Sequence, residues 1–154
     1  MKTIALLLLA TMVAMPAGTP QGFEVWSGAQ LKDLEKQLSA KVNAQKVALQ
    51  QLAKYDNHGI MVAHREGSGE AELHETQVDV FFVQSGQATL VVGGTMVDGK
   101  TTAPHEIRGP SINGGEARKL GAGDVVHIPA GVPHQLTVES GSQFTYVIVK
   151  VDVK

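Results

Sequence analysis

From Gly59 onward, apolar and polar residues follow one another in short runs: Ile60–Arg65, Glu70–His74, Val78–Gln84, Ala88–Val92, Glu116–Leu120, Asp124–Ile128, Pro133–Glu139 and Phe144–Val151. Gly67-Ser68-Gly69, Ser85-Gly86, Gly93-Gly94, Gly114-Gly115, Gly121-Ala122-Gly123 and Ser140-Gly141-Ser142 separate them. Eight short strands at regular spacing, punctuated by turn residues, predict an all-β antiparallel sandwich or barrel over residues 59–154. The single long irregular piece, residues 95–113, is expected to be a functional or mobile loop, with a lid that carries His105 or Arg108 over the mouth as the alternative to a structural role for these residues.

Before Gly59 the period differs. Ser27 with Gln30 forms a capping-box pattern, and Leu31, Leu34, Leu38, Val42, Leu49 and Leu52 recur near helical spacing. Lys32, Asp33, Glu35, Lys36, Lys41 and Lys46 lie mostly on the opposite side. The spacing therefore predicts one amphipathic α-helix over about residues 28–54, ended by Asn57-His58-Gly59, within an N-terminal extension of residues 19–58. It reads as a brace on the β-domain, with a partner-binding helix as the alternative.

Residues Met1–Pro16 form a third pattern, Lys2 followed by an uncharged apolar run. That run is too short to span a bilayer and reads as a signal peptide over residues 1–18, with an uncleaved anchor as the alternative. The expected localisation is periplasmic or secreted, with no membrane association after removal of the leader. The absence of cysteine is compatible with export. A net charge of −2 gives no electrostatic footprint for nucleic acid.

The chemistry concentrates where a strand meets a corner. In Gly123-Asp-Val-Val-His-Ile-Pro129-Ala-Gly131-Val-Pro133-His134, Pro129 lacks the N–H that a central ladder needs, and Gly131 takes φ > 0 without strain. Pro133 restricts Val132 to extended conformations, so His134 is aimed from the start of the following strand.

This run resembles the second motif of the cupins, with Gly123, Pro129, Gly131 and His134 in place and Val138 where an Asn is common. Aligned on Gly86, the first cupin motif puts Asp79 at the Glu position, His74 at the second His and Glu72 at the first. The resemblance implies a cupin jelly-roll β-barrel, commonly a homodimer, whose mouth holds one divalent metal ion. It implies no single reaction, because the family includes dioxygenases, isomerases, lyases, sugar-binding proteins and storage proteins.

Strand geometry tests this independently. Residues two apart share a face, so Glu72 and His74 point the same way, and Asp79 on the next strand can face them. Two histidines with one or two carboxylates suit Fe, Mn, Ni or Zn without choosing among them. The expected metal ligands are His74 and His134 with Glu72, Asp79 or both. Each also has a structural reading: His134 as a hydrogen-bonded rim histidine, His74 as a strand-end residue, and the two carboxylates as solvated. Without a metal, Glu72 or Asp79 becomes a buried carboxyl and a candidate general acid or base.

Leu136 and Val138 share the face of His134, Phe81 and Val83 that of Asp79, and Phe144 and Tyr146 complete a mainly apolar lining. The implied partner is a small, partly apolar molecule. His127 is expected to face away from the interior, His64 to be a surface or interface residue, and His58 at the helix end and His105 in the long loop to be structural. Two functions remain open: a metal-dependent enzyme with dioxygenase-type or isomerase-type chemistry, and a non-enzymatic small-ligand-binding protein with a structural metal or none.

Overall fold

The computed structural model describes Gly18 and residues 20–153, so the leader expected over residues 1–18 falls, apart from Gly18, outside the described residues. They form one helix and twelve strands: α1 (Gly28–Ser39), β1 (Val47–Lys54), β2 (His58–Arg65), β3 (Ala71–His74), β4 (Gln77–Val92), β5 (Thr95–Val97), β6 (Lys100–Ala103), β7 (Glu106–Gly109), β8 (Ser111–Asn113), β9 (Glu116–Gly121), β10 (Val125–Ile128), β11 (His134–Thr137) and β12 (Phe144–Asp152). The all-β expectation holds, with all pairings antiparallel. No helix among the described residues is long and apolar enough to cross a membrane.

The predicted helix starts as expected and ends early. Ser27 and Gln30 form the reciprocal capping box, with Ser27 N–H donating to Gln30 Oε1 at 2.8 Å. However, α1 stops at Ser39, and residues 47–54 are strand β1. Asn43 causes the change: its side-chain oxygen accepts from Val47 N–H at 3.1 Å, and Lys46 adopts φ 59° in the turn. Leu49 and Leu52 mimic helical spacing because a bulge between Gln51 and Ala53 inserts a residue into β1. Asn57 and His58 therefore belong to the β1–β2 hairpin instead of a helix end.

A second correction concerns Ser85-Gly86, expected as a turn. It lies within the continuous 16-residue strand β4. The first part of β4 pairs with β12 and β10, and the second with β11 and β9, so a single strand passes from one wall of the barrel to the other. Gly86 makes the corner with φ 76°, and a Cβ there would lie 1.9 Å from Gln143 O. The long loop is likewise not irregular: residues 95–113 contain β5 to β8, with β7 paired to β3.

Two apolar layers result. Inside the barrel, Phe81, Val83, Leu90, Ile128, Leu136, Val138, Phe144, Tyr146 and Ile148 pack together. On the outside, Leu38 of α1 packs with Ala48 and Val62, flanked by Leu31, Leu34, Val42, Leu52 and Val147. The helix is thus a brace on the sheet. It is also pinned by Glu35, which accepts hydrogen bonds from Gln84, Ser85 and Thr145.

Candidate metal centre

Register, more than sequence proximity, assembles the site. His134 at the start of β11 is opposite Glu72 of β3, and Glu72 is opposite Arg108 of β7. His74, two residues along β3, is opposite Glu106. On the other wall, Asp79 of β4 lies between Ile128 of β10 and Lys150 of β12. The corner that aims His134 is tied to this cluster, because Gly131 N–H donates to His74 O at 2.8 Å.

Glu72, His74 and His134 each offer a ligand atom within 4.8 Å of the other two. His74 Nε2 is 3.4 Å from Glu72 Oε2 and 3.4 Å from Asp79 Oδ2, and His134 Nε2 is 3.7 Å from Asp79 Oδ2. The outward ring nitrogens are held in turn: His74 Nδ1 lies 2.7 Å from Glu106 Oε1, and His134 Nδ1 lies 3.1 Å from Val132 O. A donated Nδ1–H fixes the ring and leaves Nε2 as the inward ligand atom, the usual second-sphere support of a metal histidine. Two imidazoles and one carboxylate therefore fit a divalent ion of the Fe, Mn, Ni or Zn type.

The fourth expected ligand is engaged otherwise. Asp79 is 3% exposed and receives Lys150 Nζ at 2.8 and 3.0 Å on its two oxygens. Lys150 Nζ also lies 3.0 Å from His74 Nε2, so an ammonium sits among the donors. Sequence reasoning missed Lys150. Strand alternation signals it, as Lys150 follows Ile148 on one face of β12 and is the first charge on that face. Glu106 was also missed, and it has no comparable signal because its contact with His74 depends on the β3–β7 register.

The electrostatics follow from crowding. Burial would lower the His74 pKa, but hydrogen bonds to Asp79 and Glu72 outweigh it and raise the pKa to about 9, with Lys150 opposing. Burial works upward on Glu72, yet its hydrogen bond with His74 and the charge and hydrogen bond of Arg108 hold it far below the usual carboxylate range. Asp79 is also lowered: burial pushes up, while hydrogen bonds from His74 and Lys150 pull further down. For His134, burial dominates and lowers the pKa, which favours the neutral ligand form.

The remaining sequence candidates lie elsewhere. His127 is exposed on β10, facing away from the interior as expected. His105 bonds Glu75 at 3.1 Å and His58 stacks on Tyr55, both on the surface. His64, expected at the surface or an interface, is instead fully buried, because α1 packs over this part of the sheet; its Nδ1 lies 2.8 Å from Thr145 Oγ1. Of the two lid candidates, Arg108 does reach the site, by donating to Glu72 Oε1 at 2.6 Å. It does so from a paired strand.

Beside the donors lies a cavity of about 220 Å³, lined by the apolar Met61, Phe81, Leu136 and Ile148 and by the charged Arg65, Glu72, Asp79, Arg108 and Lys150. The expected apolar interior behind a polar cluster is present.

No protein-family model matches this sequence, and a search of the curated proteins finds no match. Solved structures do share its architecture. The TT1209 protein of Thermus thermophilus is 21% identical over 77% of this chain and 94% of that one, with a TM-score of 0.55. The Cnp3 cupin domain of Schizosaccharomyces pombe is 11% identical over 73% and 70%, with a TM-score of 0.52. The polyketide cyclase RemF from Streptomyces resistomycificus is 17% identical over 70% of this chain, with a TM-score of 0.50, and the match spans 66% of the cyclase. The chain therefore has the cupin fold. At these identities the likeness concerns fold alone.

Proposed function

We propose that this protein is an exported cupin that binds one divalent metal ion through Glu72, His74 and His134 and acts as a metal-dependent enzyme on a small organic molecule. The observation that carries the reading is the convergence of those three donors, each histidine held by a partner on its outer nitrogen. A bound divalent ion would supply Lewis-acid or oxygen-binding chemistry at the cavity wall. The chain's own residues do the rest. Glu106 and Val132 O orient the rings, Arg108 fixes Glu72, and Phe81, Leu136 and Ile148 supply apolar lining for a substrate's body. Dioxygenase-type and isomerase-type chemistry both suit a small cavity that combines apolar lining with charged groups.

A second reading has a specific observation in its favour. Lys150 already places a cation between Asp79 and His74, which balances the cluster without a metal. On that reading the protein is a small-ligand-binding cupin with a structural metal or none.

Elemental analysis tests the metal site, and turnover separates the two readings. Purified protein is expected to carry one divalent ion per chain, lost in His74→Ala and in His134→Ala. Stoichiometric metal in both variants, or none in the parent after metal supplementation, overturns the metal reading. Turnover or oxygen consumption across a small-molecule panel then tests the enzyme. The export proposal rests on the Met1–Pro16 apolar run; N-terminal sequencing of protein recovered outside the cytoplasm is expected to begin near residue 19.

A further inference from the structure

Two arginines stand where the inner cavity opens. Arg65 and Arg108 line both the cavity of about 220 Å³ and an outer groove of about 530 Å³, and the two spaces share Leu49, Glu70 and Glu72 as well. The arginines therefore form the neck between them. Arg65 is held from behind, its Nε donating to Tyr146 Oη at 3.1 Å, and its side chain is only 13% exposed. Its Nη2 is 3.9 Å from Glu72 Oε1, beyond hydrogen-bond length, so the fork is oriented but not consumed. Arg108 commits Nη1 to Glu72, and its Nη2 stands 3.9 Å from Glu106 Oε2. Both guanidinium groups keep donors for a planar, bidentate acceptor.

The charge around the cavity points the same way. Arg65, Arg108 and Lys150 line it together with Glu70, Glu72 and Asp79, and Glu106 stands behind His74. With a divalent ion held by Glu72, His74 and His134, the ion and the three cationic side chains outweigh the four carboxylates by one positive charge. In a partly dry site that excess favours an anion.

We infer that the molecule this site takes is a small monocarboxylate, its carboxylate received by Arg65 and Arg108 at the neck and its apolar body lying against Phe81, Leu136 and Ile148. This rests on the metal-site reading above, and the two are separable by experiment. Benzoate and its neutral amide benzamide serve as probes. Mn(II) binding is measured first by electron paramagnetic resonance, and each probe is then titrated calorimetrically into the Mn(II)-loaded protein. Benzoate is expected to bind once per chain and benzamide at least tenfold more weakly. Arg65→Gln and Arg108→Gln, compared at full Mn(II) loading, are expected to lose benzoate tenfold or more. As a reading free of variants, benzoate but not benzamide binding to the parent weakens as salt rises from about 50 to 500 mM. Equal binding of the two probes, or salt-independent benzoate binding, overturns the inference. Failure to bind Mn(II) overturns the metal reading only; the same comparison on metal-free protein then decides the arginine subsite, with a charge preference supporting it and equality sinking it.

Discussion

Lys150 and Asp79 face each other in register across β12 and β4, and the ammonium spans both carboxylate oxygens at 2.8 and 3.0 Å. The pair decides which ligands are left for a metal. With Asp79 neutralised by Lys150, Glu72 is the carboxylate available to join the two histidines. Lys150→Met removes the cation and leaves Asp79, 3% exposed, without it. The metal-free protein is expected to lose about 1–3 kcal/mol, less than the cost of a wholly unpaired buried charge, because His74 still pairs with Asp79. Divalent metal affinity is expected to rise at least tenfold as Asp79 becomes a ligand, and Lys150→Met with Asp79→Asn together is expected to abolish the gain. Chemical denaturation and calorimetric Mn(II) titration measure the two effects. Unchanged affinity in the single variant would show that Lys150 does not compete.

Metal binding is expected to depend on pH through one proton. Glu72 and Asp79 are held ionised and His134 neutral, so His74, raised to about 9, is the ligand that carries a proton at neutral pH. Apparent Mn(II) affinity therefore increases about tenfold per pH unit from pH 7 and levels off near pH 9. The metal-free protein shows the opposite trend. Its His74 contribution, on the order of 3 kcal/mol, is complete below the unfolded pKa of about 6.5 and lost as pH rises to about 9. Isothermal titrations at several pH values check the slope, and a flat profile contradicts the assignment.

The corner glycines separate strain from collision. Gly131 and Gly86 both have φ near 75°, but a Cβ on Gly131 meets nothing within 4 Å, whereas one on Gly86 lies 1.9 Å from Gln143 O. Gly131→Ala is expected to cost about 1 kcal/mol, the left-handed penalty alone. Gly86→Ala adds a backbone collision at the point where β4 changes walls and is expected to cost about 2–4 kcal/mol. Urea midpoints report the difference, and equal costs would refute the account of the corner.

Legibility followed the range of the forces involved. The Gly123–His134 corner could be read from the sequence because Pro129, Gly131 and Pro133 constrain their own backbone, and the side on which His127 lies follows from alternation alone. Glu72 and His74 could be read as neighbours for the same reason. Alternation puts Lys150 on the face of Ile148 but not against Asp79, and it says nothing of Glu106, because those contacts depend on pairing between strands distant in the chain. The strand at residues 47–54 was hidden by its bulge, which gives Leu49 and Leu52 the spacing of a helix, and by an Asn43 turn whose effect depends on pairing with β2. Ser85-Gly86 has turn composition, yet pairing with β12 carries β4 through it as one strand.

The hold of α1 on the barrel is expected to be acid-sensitive through Glu35. Burial works against its charge, but hydrogen bonds from Ser85, Gln84 and Thr145 outweigh that and lower its pKa. Thr145 Oγ1 donates to Glu35 Oε1 at 3.1 Å and therefore accepts from His64 Nδ1–H at 2.8 Å, which continues the chain of bonds into the sheet. A group with a depressed folded pKa stabilises above its unfolded value of about 4.3 and loses that contribution as pH falls further. Amide protection of Leu31 to Leu38 is thus expected to fall below about pH 4 while protection of Tyr146 and Ile148 persists. Glu35→Ala is expected to reproduce the loss at neutral pH, at a cost of about 1–3 kcal/mol for leaving the Ser85 and Thr145 hydroxyls without their acceptor. Hydrogen exchange resolved by residue measures both. Equal loss across helix and barrel would mean that α1 unfolds only with the whole domain, and that Glu35 is not what holds it in place.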